Sequence, residues 1–323
     1  DVLAALNSDA SYMDIPVILI TARASQEDRI QGLNMGADDY LAKPIVREEL
    51  VLRIKNTLGR IEFNRNIAEK KQIKQTLAEA QKVYCDMLME KRQVPQVMVA
   101  DYYQAADAAS GDWLGVYYHE SENQLYVFLG DVTGHGTKSA LLTLAAASAL
   151  RGTATALEKH GLKADISKTI DIFAMSLNDA ISLVGKKLDL MMSMVFLGID
   201  LDTGLVEYRN AGHPQIYILG REKPRPILRG GPPLGYSVNS SFGRLSFQLS
   251  PNESLLLFTD GLLENSNPDG KTIKSRHLEK ILIHSANPLQ VKDALLAEIE
   301  KVWGSHPVED DCSFMVVGWN PQK

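Results

Sequence analysis

Cysteine is scarce in this chain, and basic residues are not in excess. The 323 residues include two cysteines, and 34 Lys and Arg stand against 40 Asp and Glu, for a formal net charge of −6. Cys85 and Cys312 lie far apart, which argues against a disulfide framework and suits a reducing cytosol. Nucleic-acid-binding domains that work by bulk charge are usually basic. We therefore expect a cytoplasmic protein with no nucleic acid among its partners.

A long hydrophobic run is also lacking. The longest apolar stretch, residues 140–150, is interrupted by Thr143 and Ser148 and is shorter than the roughly 20 residues that cross a bilayer. The first residues show no basic segment followed by an apolar core, so we expect neither a signal peptide nor a membrane segment in this sequence. Hydrophobic residues make up 45% and charged residues 23%, which excludes a disordered or collagen-like chain. A chain of this length predicts two or more folded units.

Residues 1–58 alternate between strand and helix patterns. Residues 16–20 form a continuous apolar run, as in a strand buried on both faces. A helical segment at residues 25–35 and a second short strand at residues 39–42 follow, and the chain is helical again from Glu48. This alternation predicts part of a doubly wound parallel α/β domain.

Residues 59–94 predict a charged helical linker. Apolar residues with coiled-coil spacing occur in two groups with a shift of register between them: Ile54, Leu58 and Ile61, then Ile73, Leu77, Ala80, Tyr84 and Met87. A broken heptad indicates a coiled-coil-like connector that pairs with a copy of itself as a homodimer. The alternative is one long helix that packs on a neighbouring domain.

Residues 95–323 alternate β-like runs with helical segments. Short connections join residues 113–119 to 124–131 and residues 194–200 to 205–211, so each pair predicts a hairpin. The helical patterns cover residues 138–151, 166–182 and 288–303. We expect an α+β domain, in which antiparallel sheets form a β-sandwich flanked by helices.

Aspartates stand at the ends of several apolar strands in this third region. They are Asp112, Asp131, Asp260, Asp310 and Asp311. Each lies where a strand meets a turn, so a rigid element can position its carboxylate, although a single Asp at such a place is most often a turn residue. Carboxylates brought together repel one another unless a cation neutralises them. Oxygen ligands of this kind suit Mg²⁺ or Mn²⁺ best.

Six motifs occur around these aspartates. They are Ser-Gly-Asp at 110–112, Gly-Asp-Val-Thr-Gly-His-Gly at 130–136, Asn-Ala-Gly-His-Pro at 210–214, Pro-Pro-Leu-Gly at 232–235, Phe-Thr-Asp-Gly-Leu at 258–262 and Asp-Asp-Cys-Ser at 310–313. In this order they resemble the PPM family of metal-dependent serine/threonine protein phosphatases, and most closely the bacterial branch that regulates sporulation and general stress. The resemblance covers about 200 residues.

The resemblance implies a role for each residue of the site. Asp131 would bridge two Mg²⁺ or Mn²⁺ ions, and the backbone carbonyl of Val132 would join it on one of them. Asp260 and Asp310 would complete the coordination of the second ion, and Asp112 would hold metal-bound water or an additional ion. These four aspartates are the expected catalytic residues, because two metal ions activate a water for attack on the phosphate ester.

Four places along the chain leave alternatives open. The family usually has a second carboxylate three residues after the first, where this chain has Gly115, which puts any additional metal site in doubt. Asp310 is favoured over Asp311 as the ligand because the second position is often Asn in relatives. His135 is interpreted as a turn residue, with a catalytic role as the alternative. The segment at 210–214 is also interpreted as a turn, with active-site shaping as the alternative.

The first region resembles the second half of a response-regulator receiver domain. The resemblance rests on Ile-Leu-Ile-Thr-Ala at 18–22 and on Gly-Ala-Asp-Asp-Tyr-Leu-Ala-Lys-Pro at 36–44. It implies that Thr21, Tyr40 and Lys43 are the receiver switch residues, and that the peptide bond after Lys43 is cis. The phospho-acceptor of such a domain would lie upstream, so we expect this sequence to be a fragment of a longer chain.

Together the motifs predict the output protein of a two-component or partner-switching pathway. A histidine kinase would phosphorylate the receiver, and the phosphatase would hydrolyse phosphoserine or phosphothreonine on a phosphorylated protein of the anti-sigma antagonist type. One alternative is a phosphatase-like scaffold with weak turnover that binds a regulatory partner. Another is that the aspartates hold a structural Ca²⁺ ion.

Overall fold

A computed structural model describes residues 2–8, 12, 15–22, 36–88, 94, 96–134, 136–160, 165–220, 222–283 and 286–321. The predicted helix at residues 25–35 and the motif residue His135 lie outside the described residues. The chain divides into two compact units, Asp1–Ile73 and Lys74–Lys323. The predicted domain boundaries after Leu58 and Val94 stay predictions.

The first unit contains the parallel strand pair that the apolar runs predicted. It holds helix α1 (Val2–Ser8) and strands β1 (Ile18–Thr21) and β2 (Asp39–Ala42). The two strands are parallel, with Thr21 paired to Ala42. The peptide bond between Lys43 and Pro44 is cis, as the receiver resemblance implied.

One continuous helix, α2 (Arg47–Leu88), follows β2. Glu48 and Glu49 lie in its first turn, where negative charge interacts favourably with the helix dipole. Side chains of the predicted coiled-coil pattern are exposed along it, among them Leu58 (53%) and Ile73 (57%).

Two antiparallel five-stranded sheets form the second unit. Sheet one consists of β4 (Trp113–His119), β5 (Gln124–Val132), β6 (Met192–Asp200), β7 (Leu205–Ala211) and β10 (Gly243–Gln248), in the order β10-β7-β6-β5-β4. Sheet two consists of β3 (Val97–Gln104), β8 (Ile216–Leu219), β9 (Arg225–Ile227), β11 (Ser254–Phe258) and β12 (Cys312–Trp319), in the order β3-β12-β11-β8-β9. Both predicted hairpins, β4–β5 and β6–β7, are present.

Helices cover the outer face of each sheet. The helices α3 (Thr137–His160) and α4 (Ile166–Leu188) pack on sheet one, where Phe173 lies among buried aromatic side chains. The short α5 (Gly261–Glu264), α6 (Ser275–Ile281) and α7 (Pro288–Trp303) belong to sheet two. A third apolar cluster, with Val127 and Leu257 among its members, fills the space between the sheets. The α+β sandwich predicted from the sequence is confirmed.

Helix α3 is long and apolar enough to span a membrane by composition. Half of its most apolar segment is buried, however, and Leu142, Ala146 and Leu150 belong to the apolar core between this helix and sheet one. Its hydrophobic residues are therefore accounted for by packing against the sheet.

Candidate metal centre

Two of the predicted aspartates lie at one end of sheet one. Asp131 is the second-last residue of β5 and pairs with Ser193 of β6. Asp112 directly precedes β4, whose first residue, Trp113, pairs with Gly130 of β5. Because neighbouring antiparallel strands run in opposite directions, the start of β4 and the end of β5 lie at the same end of the sheet. Asp112 and Asp131 are therefore neighbours.

The other two lie at one end of sheet two. Asp260 follows β11, and Asp310 precedes β12, which is the antiparallel neighbour of β11. The pairing continues just past the strands, where Thr259 N donates to Ser313 O at 2.9 Å. Asp260 and Asp310 therefore lie at the same end of the sheet.

Thr259 joins the ends of the two sheets. The Thr259 hydroxyl donates to Asp112 Oδ2 at 2.9 Å, and the Thr259 hydroxyl oxygen accepts from Ser313 N at 2.9 Å. A contact from β11 thus reaches the carboxylate beside β4. The structure brings the four predicted aspartates to one end of the sandwich, although 198 residues separate the first from the last.

Burial and mutual repulsion disfavour the charged forms of these carboxyls. Burial raises the pKa of Asp131 to about 9, and the negative charges of the neighbouring aspartates add to this effect. Burial also raises the pKa of Asp112 to about 8, against the opposing effect of nearby hydroxyls. The pKa of Asp260 is raised by burial and then by the charge of Glu264. A cation at this place would favour the ionised forms.

The oxygen atoms gathered here fit a hard divalent cation. Asp112 Oδ1 is buried and makes no hydrogen bond of normal geometry among the described residues. A Cβ at Gly111 would lie 3.0 Å from the Val132 carbonyl oxygen, so glycine keeps this oxygen accessible. In the described part of the chain, no three Asp, Glu, His or Cys side chains already surround one point at ligand distance. A bound cation would therefore have to draw the carboxylates closer together.

Asp310 and Asp311 are held in different ways. Both carboxylate oxygens of the buried Asp311 accept backbone N–H groups, from Ala106 at 2.8 Å and from Gly111 at 2.7 Å. The backbone of Asp310 is fixed by Asn265, which accepts from Asp310 N at 3.0 Å and donates to Asp310 O at 2.8 Å. Asp311 thus anchors the loop that carries Asp112, a role the sequence analysis missed.

Close approach of the backbone explains the glycine after Asp260. A Cβ at Gly261 would lie 1.9 Å from the Asp311 carbonyl oxygen, so no other residue fits without a backbone shift. The same contact brings the start of α5 against the residues that precede β12. The Asp-Gly pair, which is common in simple turns, here serves packing at the site.

The end of α2 also holds the loop before β4. The amide of the buried Gln81 donates to Ser110 O at 2.8 Å and accepts from Ser110 N at 3.2 Å. One heptad earlier, Lys74 forms an ion pair with Asp107 of the same loop. Gln81 is four residues after Leu77 and so shares its helix face, which is the signal that could have identified it.

His213 lies in the turn after β7, and the turn interpretation fits its backbone. Asn210 Oδ1 accepts from His213 N at 2.9 Å, and Asn210 Nδ2 donates to His213 O at 3.0 Å. The imidazole Nδ1 is 2.9 Å from Ser193 Oγ, opposite Asp131. Burial lowers the pKa of His213 to about 3, so the ring is neutral.

Gly115 does not face the carboxylates. A Cβ there would lie 3.2 Å from the Trp113 ring and 3.6 Å from Phe128, inside the aromatic core. The strand position at which the family has a second carboxylate therefore contributes only packing in this chain.

The predicted receiver residues lie together in the first unit. Thr21 ends β1, and its carbonyl accepts from Lys43 N at 2.8 Å. Tyr40 of β2 lies under the guanidinium of Arg53, 5.1 Å from its ring centroid. Arg53 also pairs with Asp39 at 2.8 Å. This cluster belongs to the first unit, Asp1–Ile73.

Comparison with known families identifies the class of protein. The family model described as Stage II sporulation protein E (SpoIIE) matches residues 121–320. This is more than half of the chain, and the chain belongs to this family. The model of the response regulator receiver domain matches residues 1–55. Both resemblances found in the motifs are thereby confirmed.

The chain also resembles individual proteins in sequence and in fold. The chain is 27% identical over 249 residues to the phosphoserine phosphatase RsbP of Bacillus subtilis, and this covers 76% of the chain and 58% of RsbP. The solved SiaA-PP2C domain of Pseudomonas aeruginosa matches 78% of the chain and 99% of its own length, with a TM-score of 0.63 and 19% identity. RsbX in complex with magnesium matches 71% and 98%, with a TM-score of 0.51 and 12% identity. The structural matches establish the fold.

Proposed function

We propose that this chain is a metal-dependent protein phosphatase that hydrolyses phosphoserine or phosphothreonine. The observation that carries the proposal is the meeting of Asp112, Asp131, Asp260 and Asp310 at one end of the sandwich, where Asp112 Oδ1 is buried and makes no hydrogen bond of normal geometry among the described residues. The phosphoserine phosphatase activity of the relative RsbP supports the reaction type.

The carboxylates would hold two divalent cations, Mg²⁺ or Mn²⁺. Asp131 would serve both, with the Val132 carbonyl on one side and Asp260 and Asp310 on the other, while Asp112 would hold water or an additional ion. When bound, two such cations lower the pKa of a water and offset the negative charge of the phosphoryl group. The magnesium complex of RsbX, a protein of similar fold, agrees with this choice of ion.

Other side chains of the chain orient these ligands. The Thr259 hydroxyl fixes one oxygen of Asp112 and leaves the other for a cation. Both oxygens of Asp311 accept from the backbone of the loop before β4, whereas Asp310 accepts one backbone N–H, from Asp311, which favours Asp310 as the ligand of the pair. Each contact limits the motion of a carboxylate in the site.

A covalent enzyme intermediate is not required. Cys312 is the thiol near the site, and burial raises its pKa well above the usual range, with nearby aspartates adding to the effect. The thiol therefore stays protonated and is a poor nucleophile. Direct attack of water on the phosphorus suits the remaining groups.

Hydrolysis of para-nitrophenyl phosphate with and without Mn²⁺ tests the reaction. Asp131→Ala should lower kcat by at least about a hundredfold, as expected when a group that stabilises transition-state charge is lost. EDTA should abolish turnover of the unchanged protein. Asp269→Ala, at an exposed loop position, is the matched control and should keep full activity.

Three results would contradict the proposal. Turnover that survives both EDTA and Asp131→Ala would exclude the metal mechanism. No turnover under any condition, together with tight binding of a protein partner, would favour the phosphatase-like scaffold. Tight Ca²⁺ binding that raises the Tm without supporting turnover would favour a structural ion.

The proposed setting is a cytoplasmic two-component or partner-switching pathway. A histidine kinase would act on the receiver of the longer protein, the substrate would be an anti-sigma antagonist, and α2 would pair with its copy in a homodimer. The exposed Leu58 and Ile73 of α2 support the pairing. Sedimentation equilibrium tests it: replacing both with Lys should convert a dimer into a monomer, and a monomeric starting protein would contradict it.

A further inference from the structure

Three large apolar side chains are exposed on the loop that leads from β9 to β10: Leu228 directly after β9, and Tyr236 and Val238 near the middle of the loop. Tyr236 is 68% exposed and Val238 is 59% exposed. Single exposed apolar residues are common on protein surfaces and need no function. These two differ because the backbone that carries them is fixed from below.

Asn178 of α4 holds this loop with its whole side-chain amide. The residue is buried, its Oδ1 accepts from Gly235 N at 3.1 Å, and its Nδ2 donates to Ser237 O at 2.9 Å and to Val238 O at 3.3 Å. Three backbone groups of one loop are thus bound by one buried amide. Such a surface loses little conformational entropy when a partner covers it.

The loop is connected to the metal centre by a short series of hydrogen bonds. Thr133, two residues after Asp131, exchanges hydrogen bonds with Met191, at 3.0 Å through its backbone N–H and at 3.1 Å through its hydroxyl. Met192 exchanges two backbone hydrogen bonds with Leu234, at 3.2 and 2.8 Å. Leu234 precedes Tyr236 by two residues, and Met192 pairs with Val132, so the exposed loop lies close to the end of β5 that carries Asp131.

Two methionines extend the apolar character of this region. Met191, beside Thr133, is 36% exposed, and Met175, one turn before Asn178 on α4, is 65% exposed. We name Met175, Met191, Tyr236 and Val238 the apolar rim. Methionine adapts its shape to a partner, and tyrosine supplies a large rigid contact.

We propose that the apolar rim docks the folded phosphoprotein substrate through apolar residues next to its phosphoserine, so that Tyr236 and Val238 determine specificity for a protein over a small phosphate ester. The inference rests on the proposed phosphatase function. A phosphoserine that enters the site carries its neighbouring residues across the rim, since Leu234 and Met192 join the two places directly. An aryl phosphate occupies the site alone and does not extend to Tyr236.

The test compares two substrates with the same chain of 323 residues. The probes are para-nitrophenyl phosphate and the serine-phosphorylated anti-sigma antagonist proteins of the same genome, with Mn²⁺ present. The double variant Tyr236→Ser, Val238→Ser should lower kcat/KM for the phosphoprotein at least tenfold, mainly through KM, and change that for the aryl phosphate less than twofold. Asn178→Asp, which places a carboxylate against two carbonyl oxygens, should also lower kcat/KM for the phosphoprotein.

Leu289→Ser is the matched control. Leu289 is 53% exposed at the start of α7, on the helical layer of the other sheet. It should leave both rates unchanged, and thermal melting should show that all variants are folded.

The outcomes separate this proposal from the proposed function. Equal losses on both substrates, or no loss on the phosphoprotein, overturn the docking role. A change in sedimentation instead of KM would assign the rim to a contact between copies and would also overturn it. If the unchanged protein hydrolyses the aryl phosphate but none of the phosphoproteins, the docking proposal fails while the metal-dependent chemistry stands.

Discussion

Asp310 and Asp311 are adjacent in sequence and differ in what their carboxylates contact. Asp311 is buried with two backbone N–H partners, whereas the Asp310 carboxylate accepts one backbone N–H, from Asp311 at 2.9 Å, and the Asp310 backbone is held by Asn265. A carboxylate that already accepts two charge-assisted hydrogen bonds is a poor candidate for a cation ligand. At the scale of the residue, hydrogen bonding therefore distinguishes a structural from a chemical carboxylate.

Removal of the Asp311 carboxylate should mainly cost stability. Asp311→Ala leaves the buried Gly111 N–H and the partly buried Ala106 N–H without this partner, and we expect a loss of about 2–4 kcal/mol in the free energy of unfolding. Asp310→Ala should change the stability of the metal-free protein by less than about 1 kcal/mol and abolish Mn²⁺-dependent turnover. Urea unfolding in EDTA measures the first effect and aryl phosphate hydrolysis the second. The reverse pattern would identify Asp311 as the ligand.

The Asp112 carboxylate should destabilise the metal-free protein. Its pKa is raised by burial, and nearby aspartates add to the effect. Asp112→Asn keeps the shape and the Thr259 contact but removes a charge, so the Tm of the metal-free variant at pH 8 should exceed that of the unchanged protein. Mn²⁺ affinity, measured by calorimetry, should fall. A lower Tm in EDTA would contradict the repulsion argument.

At the scale of the element, α2 does more than connect. Its last turns contact the loop before β4 twice, through Lys74 and through Gln81. Residues seven apart lie on one helix face, so a single face of α2 grips the loop that carries Asp112. Rotation or displacement of this segment would alter the position of a predicted ligand.

Loss of the Gln81 amide should loosen that loop. Gln81→Ala leaves Ser110 N–H and C=O without their partner, and we expect about 1–3 kcal/mol lower stability together with weaker Mn²⁺ binding. Gln75→Ala, at an exposed position of the same helix, is the control and should alter neither. Urea titration and calorimetry on both variants check the result. Unchanged Mn²⁺ affinity in Gln81→Ala would show that the contact between Gln81 and Ser110 does not affect the position of Asp112.

At the scale of the whole molecule, the metal centre forms where the ends of two sheets meet. Asp131 and Asp112 come with sheet one, and Asp260 and Asp310 come with sheet two. The apolar cluster between the sheets fixes their separation. The free energy gained by packing the sandwich thus offsets the repulsion between the carboxylates.

The pH dependence of stability should reflect this charge. The pKa values of Asp112 and Asp131 rise to about 8 and 9 in the metal-free fold, against about 4 for an unfolded chain. The folded protein then binds protons that the unfolded chain has lost, so stability should fall as the pH rises from about 4 to 9.

Saturating Mn²⁺ should reverse this trend. Cation binding displaces the protons, so the apparent affinity should rise with pH over the same window. Melting curves between pH 5 and 9, with EDTA and with Mn²⁺, give the two slopes. A metal-free protein that gains stability as the pH rises would refute the assigned shifts.

Much of the architecture was predictable from periodicity. Hairpins such as β4–β5 follow from alternating runs with short connections, and α7 begins and ends at the predicted residues, Pro288 and Trp303. The motif aspartates were also identified, because each lies at a strand end. Helix α4 extends beyond the predicted residue 182 to Leu188, since Gly185 packs against Leu190 and does not end the helix.

Sequence by itself determined which residues lie on strands, which aspartates lie at their ends and to which family the motifs point, because these are local properties of spacing and residue type. Tertiary structure alone decided that Asp311 anchors a loop, that Gln81 binds Ser110 and that Asn178 holds Tyr236 in place. Each of these contacts joins residues at least 29 positions apart. Buried polar groups must find partners wherever the fold brings one within hydrogen-bond distance, and no local pattern records that distance.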